Sequence, residues 1–182
     1  GDTSRALPDV AKQVRYRAYE LERRLIAALA TGRARQWRLC VLISESLCPA
    51  GDWQAVARGA IEGGADCVQL REKSLEARDL LDRARVLVDI ARPQGVSVIV
   101  NDRLDVALAA GADGVHLGQH DLPVAEARRI VGRQLLIGVS TSSIAEARRA
   151  RRAGADYCGV GPMFKTMTKH KDVIVGPTYL RE

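Results

Sequence analysis

The sequence predicts an α/β fold: a (β/α)8 TIM barrel of which strands 1 to 6 are present, preceded by an N-terminal helical arm. Three observations lead there. From Arg38 onward short apolar runs alternate with amphipathic helical patterns, the texture of parallel strands joined by crossover helices. The segments GGADCVQLR, AGADGVHLG and AGADYCGVG recur with aspartates at 66, 113 and 156, 47 and then 43 residues apart, as repeated β-α units would. No early G-x-G-x-x-G is present, which favours the barrel over a doubly wound open sheet. Six strands are visible before Glu182, and a closed barrel needs two more.

Taken in order, the chain opens with LPDVAKQVRYRAYELERRLIAALATG. Here Val10, Val14, Tyr16, Ala18, Leu21, Leu25 and Leu29 fall near helical spacing and Gly32 can terminate the run, so residues 1–36 form the arm and 37–182 the incomplete barrel. The strands are RLCVLIS (38–44), ADCVQLR (65–71), VSVIVN (96–101), GVHLG (114–118), LLIGVS (135–140) and YCGVG (157–161). Their near-continuous apolar character predicts a parallel sheet covered on both faces. Between them, Asp52 caps a helix ending at Gly63-Gly64, Ser74 caps the helix from Leu75 to Ala91, Pro123 suits a first helical turn, and Ser142 or Ser143 opens the helix closed by Gly154. In each repeat copy glycine ends a helix in the left-handed conformation and Ala-Asp turns into the next strand.

A chain of 182 residues with 47% apolar content suits one globular domain with a sizeable core. No apolar run reaches the ~20 residues that span a bilayer, and no signal-peptide pattern is present, so a cytoplasmic protein without membrane contact is expected. Cys40, Cys48, Cys67 and Cys158 lack metal or redox spacing and read as small buried hydrophobes. The net charge is +6, of which the first 37 residues carry +4. Without aromatic interleaving or a nucleic-acid motif, this basic arm reads as a solvated helix face, and no nucleic-acid partner is expected.

Sites in such folds form at the C-terminal ends of strands. Those positions hold Gln69, Arg71 and Lys73, whose alternation predicts one shared strand face, then Asn101 and Asp102, then His116, Gln119 and Asp121, then Ser140, and finally Thr166, Thr168 and Lys169. Each has an ordinary reading: Asp102 and Asp121 as helix caps, His116 as a hydrogen-bonded core histidine, Ser140 as a cap, and the threonines as loop residues. Together they gather three cations, two carboxylates and several donors at one end of the sheet, a set that a polyanion with a divalent cation would satisfy. Mg²⁺ takes one or two carboxylates plus substrate phosphates, while arginine forks onto phosphate and lysine meets it as a point charge. The residues therefore point to metal-diphosphate chemistry.

QLREK, NDRLDVALAAGADGVHLGQHDLP, IGVSTSS and GADYCGVGPMFKTMTK, in that order and spacing, resemble the thiamine phosphate synthase family over roughly residues 38–178. The resemblance implies that Gln69, Arg71, Lys73, Asn101 and Lys169 contact a pyrimidine diphosphate, that Asp102 and Asp121 hold Mg²⁺, and that Ser140 meets the diphosphate. It assigns Thr166 and Thr168 to a thiazole phosphate and sets His116 near the pyrimidine ring, with Arg71, Lys73, Lys169 and Ser140 as the catalytic set. The implied reaction joins 4-amino-5-hydroxymethyl-2-methylpyrimidine diphosphate to the thiazole phosphate and releases pyrophosphate. The alternatives are a thiazole tautomerase-like or other phosphate-binding barrel enzyme, and a non-catalytic module whose basic arm binds nucleic acid.

Two features depart from the family pattern. The family's strands seven and eight, with their glycine-rich phosphate loops, have no counterpart here, so a chain truncated at its C-terminus and at its N-terminus, and inactive alone, is expected. The first strand reads VLISES where an acidic end is expected. The arm resembles the tail of an upstream helical module.

Overall fold

The computed structural model describes Arg17, residues 37–164 and residues 174–176. Apart from Arg17, the predicted arm lies outside the described residues, as do Thr166, Thr168 and Lys169.

The six predicted strands form at the expected places: β1 (Cys40–Ile43), β2 (Cys67–Leu70), β3 (Ser97–Asn101), β4 (Gly114–Leu117), β5 (Leu136–Thr141) and β6 (Tyr157–Val160). All neighbours are parallel and the order is β1-β2-β3-β4-β5-β6. A doubly wound sheet reverses its order at a switch point; this sheet never does, so each crossover places its helix on the same side. Those helices are α1 (Trp53–Glu62), α2 (Ala77–Ala91), α3 (Leu104–Ala110), α4 (Val124–Val131) and α5 (Ile144–Ala153).

The core lies between these helices and the outer face of the curled sheet. Val68, Leu70, Val98, Val100, Val115, Leu117 and Ile137 supply the strand side, and Leu80, Leu87, Leu104 and Val131 the helix side. Alanines 57, 84, 107 and 127 are fully buried and let the helices sit close to the strands, so that each large aliphatic side chain contributes about 1.5–3 kcal/mol by burial. The alternate strand residues face the other way: Cys40, Leu42, Gln69, His116 and Ser140 line a cavity of about 600 Å³ on the inner face. Both faces are covered as expected over β2 and β3, whose residues are all buried, but by unlike means, helices outside and the lining of the lumen inside. Period-two alternation sends one side-chain set to the helices and the other into the lumen, and both sets are apolar enough to look like one continuous run.

The repeat owes its persistence to aspartate. Glycines 64, 111 and 154 have φ of +94°, +67° and +96°, the left-handed exit that only glycine adopts cheaply. The aspartate two residues on then accepts backbone N–H groups of the preceding strand segment. Asp66 Oδ2 takes Arg38 N at 2.8 Å and Leu39 N at 2.9 Å, Asp113 Oδ2 takes Val98 N at 2.8 Å, and Asp156 Oδ2 takes Ile137 N at 2.7 Å. Meanwhile the Asp66 carbonyl accepts Ser97 N and the Asp113 carbonyl accepts Leu136 N, so each of these residues ties three successive strands at the N-terminal rim.

Most caps follow the sequence. Asp52 accepts from Ala55 N and Ser143 from Glu146 N. Ser74 does not cap α2, which begins two residues later than expected, after Glu76 and without a side-chain cap. All four cysteines are free, but Cys40 is exposed in the lumen rather than buried, its Sγ 3.4 Å from that of Cys67 on the adjoining strand. No helix among the described residues is long and apolar enough to cross a membrane.

Candidate functional site

The loop after β2 is built to present cations. Strand pairing ends at Leu70, so the alternation expected to put Gln69, Arg71 and Lys73 on one face holds only for Gln69, which is buried and lines the cavity. Arg71 is fixed by its backbone: its N–H donates to Ile43 O at 2.8 Å and its carbonyl accepts Ser44 Oγ at 2.5 Å. Glu72 turns the other way, accepting Arg83 Nη1 at 2.8 Å and Glu45 N at 2.9 Å. Arg83 also reaches Glu45 at 3.1 Å and lies 5.2 Å over the Trp53 ring. Glu72 and Arg83 thus anchor the loop between half-buried Arg71 and exposed Lys73. Sequence reading passed over both, although Glu72 sits between the two cations it selected.

Lys73 pairs with Asp102 across the rim. Asp102 follows β3 with φ of +62°, a conformation aspartate tolerates better than most residues. Its backbone N–H donates to His116 O at 2.8 Å. Neither acid is a helix cap: α3 begins after Arg103 and α4 after Pro123, both without side-chain caps. Asp121 instead folds back to accept Gly118 N at 2.6 Å. Burial, opposed by Lys73 and reinforced by the neighbouring Asp121 carboxylate, raises the Asp102 carboxyl above its ordinary range. Two carboxylates this close favour a shared proton or a cation between them. Their all-oxygen donor set, open to further oxygens from a ligand, matches what Mg²⁺ accepts.

Inside the lumen, Asn101 is buried with no hydrogen-bond partner for Nδ2 among the described residues. An orphaned buried donor costs about 1–3 kcal/mol, which a ligand acceptor would recover. His116 joins Tyr157 and Ser140: Nδ1 lies 3.2 Å from the Tyr157 hydroxyl and Nε2 2.9 Å from Ser140 Oγ. Gln119 steadies the same strand end, Nε2 donating to Ser140 O at 2.6 Å. Two glycines make room. A Cβ on Gly138 would stand 2.0 Å from Tyr157 Cζ, and one on Gly159 would stand 2.9 Å from His116 Cε1. Tyr157 went unnoticed in the sequence, yet the repeat carried a signal: the residue after the repeated aspartate is Cys67, Gly114 and then the much larger Tyr157.

The structure therefore brings Lys73, Asp102 and Asp121 together at the rim, with Gln69, His116 and Ser140 around the lumen below.

Comparison with known proteins fits this geometry. The family model described as thiamine monophosphate synthase matches residues 39–182. A thiamine-phosphate synthase of Halalkalibacterium halodurans is 50% identical over 143 residues, covering 79% of this chain and 67% of that protein. One from Gloeobacter violaceus is 46% identical over 175 residues, covering 96% of this chain and 50% of its relative. The chain thus spans half to two thirds of the length of these curated relatives. The solved structure of a thiamine phosphate pyrophosphorylase from Pyrococcus furiosus superposes with a TM-score of 0.72 at 36% identity, covering 80% of this chain and 68% of that one.

Proposed function

The chain belongs to the thiamine monophosphate synthase family, and from that premise we propose that its site condenses 4-amino-5-hydroxymethyl-2-methylpyrimidine diphosphate with a thiazole phosphate, releasing pyrophosphate and forming thiamine phosphate. The observation that carries this reading is the meeting of Asp102 and Asp121 beside Lys73 at the C-terminal rim. A lone helix cap needs no such neighbours; a metal-bound diphosphate does.

The residues divide the work. Asp102 and Asp121 would hold Mg²⁺, which when bound neutralises charge on the departing diphosphate. Arg71 and Lys73 supply fixed positive charge to the same leaving group, whose negative charge grows as the carbon–oxygen bond lengthens, so their contribution is larger in the transition state than in the bound substrate. Ser140 donates to a phosphate oxygen. Asn101 Nδ2 supplies the unspent donor to the substrate, and Gln69 and His116 line the chamber for the pyrimidine ring. The electron-rich aminopyrimidine favours a dissociative departure, and the thiazole nitrogen is already nucleophilic, so no covalent protein nucleophile is required. Lys169 joins the diphosphate contacts, and Thr166 and Thr168 bind the thiazole phosphate, on the resemblance of their loop alone. A cytoplasmic location belongs to the same reading and suits four cysteines that remain free thiols.

Calorimetric binding of the pyrimidine diphosphate, with Mg²⁺ and with chelator, tests the assignment. Asp102→Asn and Asp121→Asn should each abolish the Mg²⁺-dependent part of the affinity while shifting unfolding by only ~1 kcal/mol, the worth of one exposed ion pair or one hydrogen bond. In the full-length protein, Arg71→Ala should lower kcat for pyrophosphate release rather than only raise KM. Equal affinity with metal and with chelator would sink the diphosphate-metal reading.

A further inference from the structure

The hydrogen-bonded series Tyr157–His116–Ser140 has a direction, and the direction decides what Ser140 can do. Tyr157 is held firmly: its ring lies over Gly138, and Trp37 meets it edge-on with centroids 5.3 Å apart at 73°. Trp37 is itself tied by Nε1 to Ser97 Oγ at 3.2 Å. Among the described residues, His116 is the only hydrogen-bond partner of both the Tyr157 hydroxyl and Ser140 Oγ. The imidazole between them must therefore donate to one and accept from the other, or donate to both if charged.

We propose that Tyr157 is a positioning residue for Ser140: its hydroxyl donates to His116 Nδ1, fixes the ring as the Nε2–H tautomer, and so leaves the Ser140 hydroxyl proton pointing at an anionic ligand in the lumen. Three considerations set this polarity. A phenol is a far stronger donor than an alkyl hydroxyl, with an unperturbed pKa of ~10, and is the better match for the imidazole lone pair. Burial pushes the Tyr157 phenol further up, so its proton is present to be given. In the opposite arrangement, with Nδ1–H donating to the phenol oxygen, the half-buried Tyr157 proton has no acceptor among the described residues, and Ser140, which lines the same cavity, would spend its own proton on Nε2. The series then runs O–H to Nδ1 and Nε2–H to Oγ. Ser140 Oγ, having accepted, keeps its own proton for a phosphate oxygen. The identity of that anion as a diphosphate rests on the function proposed above; the proton order does not.

The test separates the two. Histidine ¹⁵N shifts of the labelled protein report the tautomer directly; single His120→Gln and His170→Gln variants assign the other two of the three histidines. The expected result is Nε2–H for His116 in the wild type and a mixture of tautomers in Tyr157→Phe, which removes only the hydroxyl. Titration with Mg²⁺ and inorganic pyrophosphate should show about tenfold weaker binding for Tyr157→Phe, a similar loss for Ser140→Ala, and near-native affinity for Ser140→Thr. Tyr157→Phe should add nothing in the Ser140→Ala background, because the hydroxyl it orients is gone. A wild-type His116 protonated on Nδ1, or an unchanged tautomer in Tyr157→Phe, overturns the relay whatever binds. Absence of pyrophosphate binding by a wild type with the Nε2–H ring refutes the diphosphate as its ligand and counts against the proposed function.

Discussion

Replacing Arg83 with methionine removes one cation from three partners of unequal exposure, and the inequality fixes what should follow. The Glu72 side chain is 8% exposed and the Arg83 side chain 14%, whereas Glu45 is 44% exposed. Loss of the exposed Glu45 pair costs about 0–1 kcal/mol. Loss of the stacking on Trp53 adds ~0.5–1 kcal/mol, partly offset by methionine packing on the same ring. The dominant cost is Glu72, stranded as a buried carboxylate with only the Glu45 N–H at 2.9 Å to compensate it among the described residues, and breaking such a pair from one side costs about 3–5 kcal/mol. Glu72→Gln alone keeps an oxygen that accepts from Glu45 N and leaves Arg83 paired with Glu45, so about 1–2 kcal/mol is expected. In the double variant no stranded charge remains, and its destabilisation should fall short of the sum of the single losses by about 2 kcal/mol. Urea unfolding of the four proteins closes the cycle. A coupling below ~0.5 kcal/mol, or an Arg83→Met loss no larger than that of Glu72→Gln, would refute the claim that this pair anchors the Arg71–Lys73 loop.

Gly138→Ala places a methyl 2.0 Å from Tyr157 Cζ, so the ring must swing off His116; a loss of about 1–3 kcal/mol in urea unfolding is expected, and a variant as stable as the wild type would show that the lumen has room to spare. Asp66 is held below the usual carboxylate range, first by the Arg38 N–H and then by that of Leu39. Its contribution is therefore complete above the unfolded value of ~3.9 and is lost as pH falls through the lower folded value. The stability gap between wild type and Asp66→Asn should accordingly be constant from pH 5 to 7 and shrink below pH 4. A gap independent of pH down to 2.5 would mean the carboxylate charge contributes nothing.

β2, β4 and β6 were legible because each joins a short apolar run to a left-handed glycine and an Ala-Asp turn, and β1, β3 and β5 from the apolar run alone; both signals are local. Helix starts were legible where a side chain really caps, as at Asp52 and Ser143, and misplaced at Ser74, where the chain enters α2 through Glu76 with no cap at all. Asp102, Asp121, Ser140 and His116 could be singled out as candidates because each stands at or near the C-terminal end of a strand. Their partners could not. Glu72 meeting Arg83, and Tyr157 crossing Gly138 to reach His116, depend on which side chains the curled sheet brings together from 11 and 41 residues away. Which apolar residues face the lumen and which the helices was not legible, because hydropathy alone does not distinguish the wall of a half-open chamber from a packed layer.

The aspartate ties at the N-terminal rim also bear on how such a chain assembles. Each carboxylate catches the strand one unit behind it, and the carbonyls of Asp66 and Asp113 receive the strand one unit ahead. Register is therefore settled between near neighbours in sequence, without reference to distant parts of the polypeptide. A ribosome releasing the chain from its N-terminus can have β1 and β2 locked before β4 exists, and β3 and β4 locked before β6, so that growth is vectorial and the loop-closure entropy of each addition stays small. Because the ties sit at the rim opposite the proposed site, substitutions there leave this assembly sequence untouched, which gives the far rim freedom to vary on a frame that builds itself the same way each time.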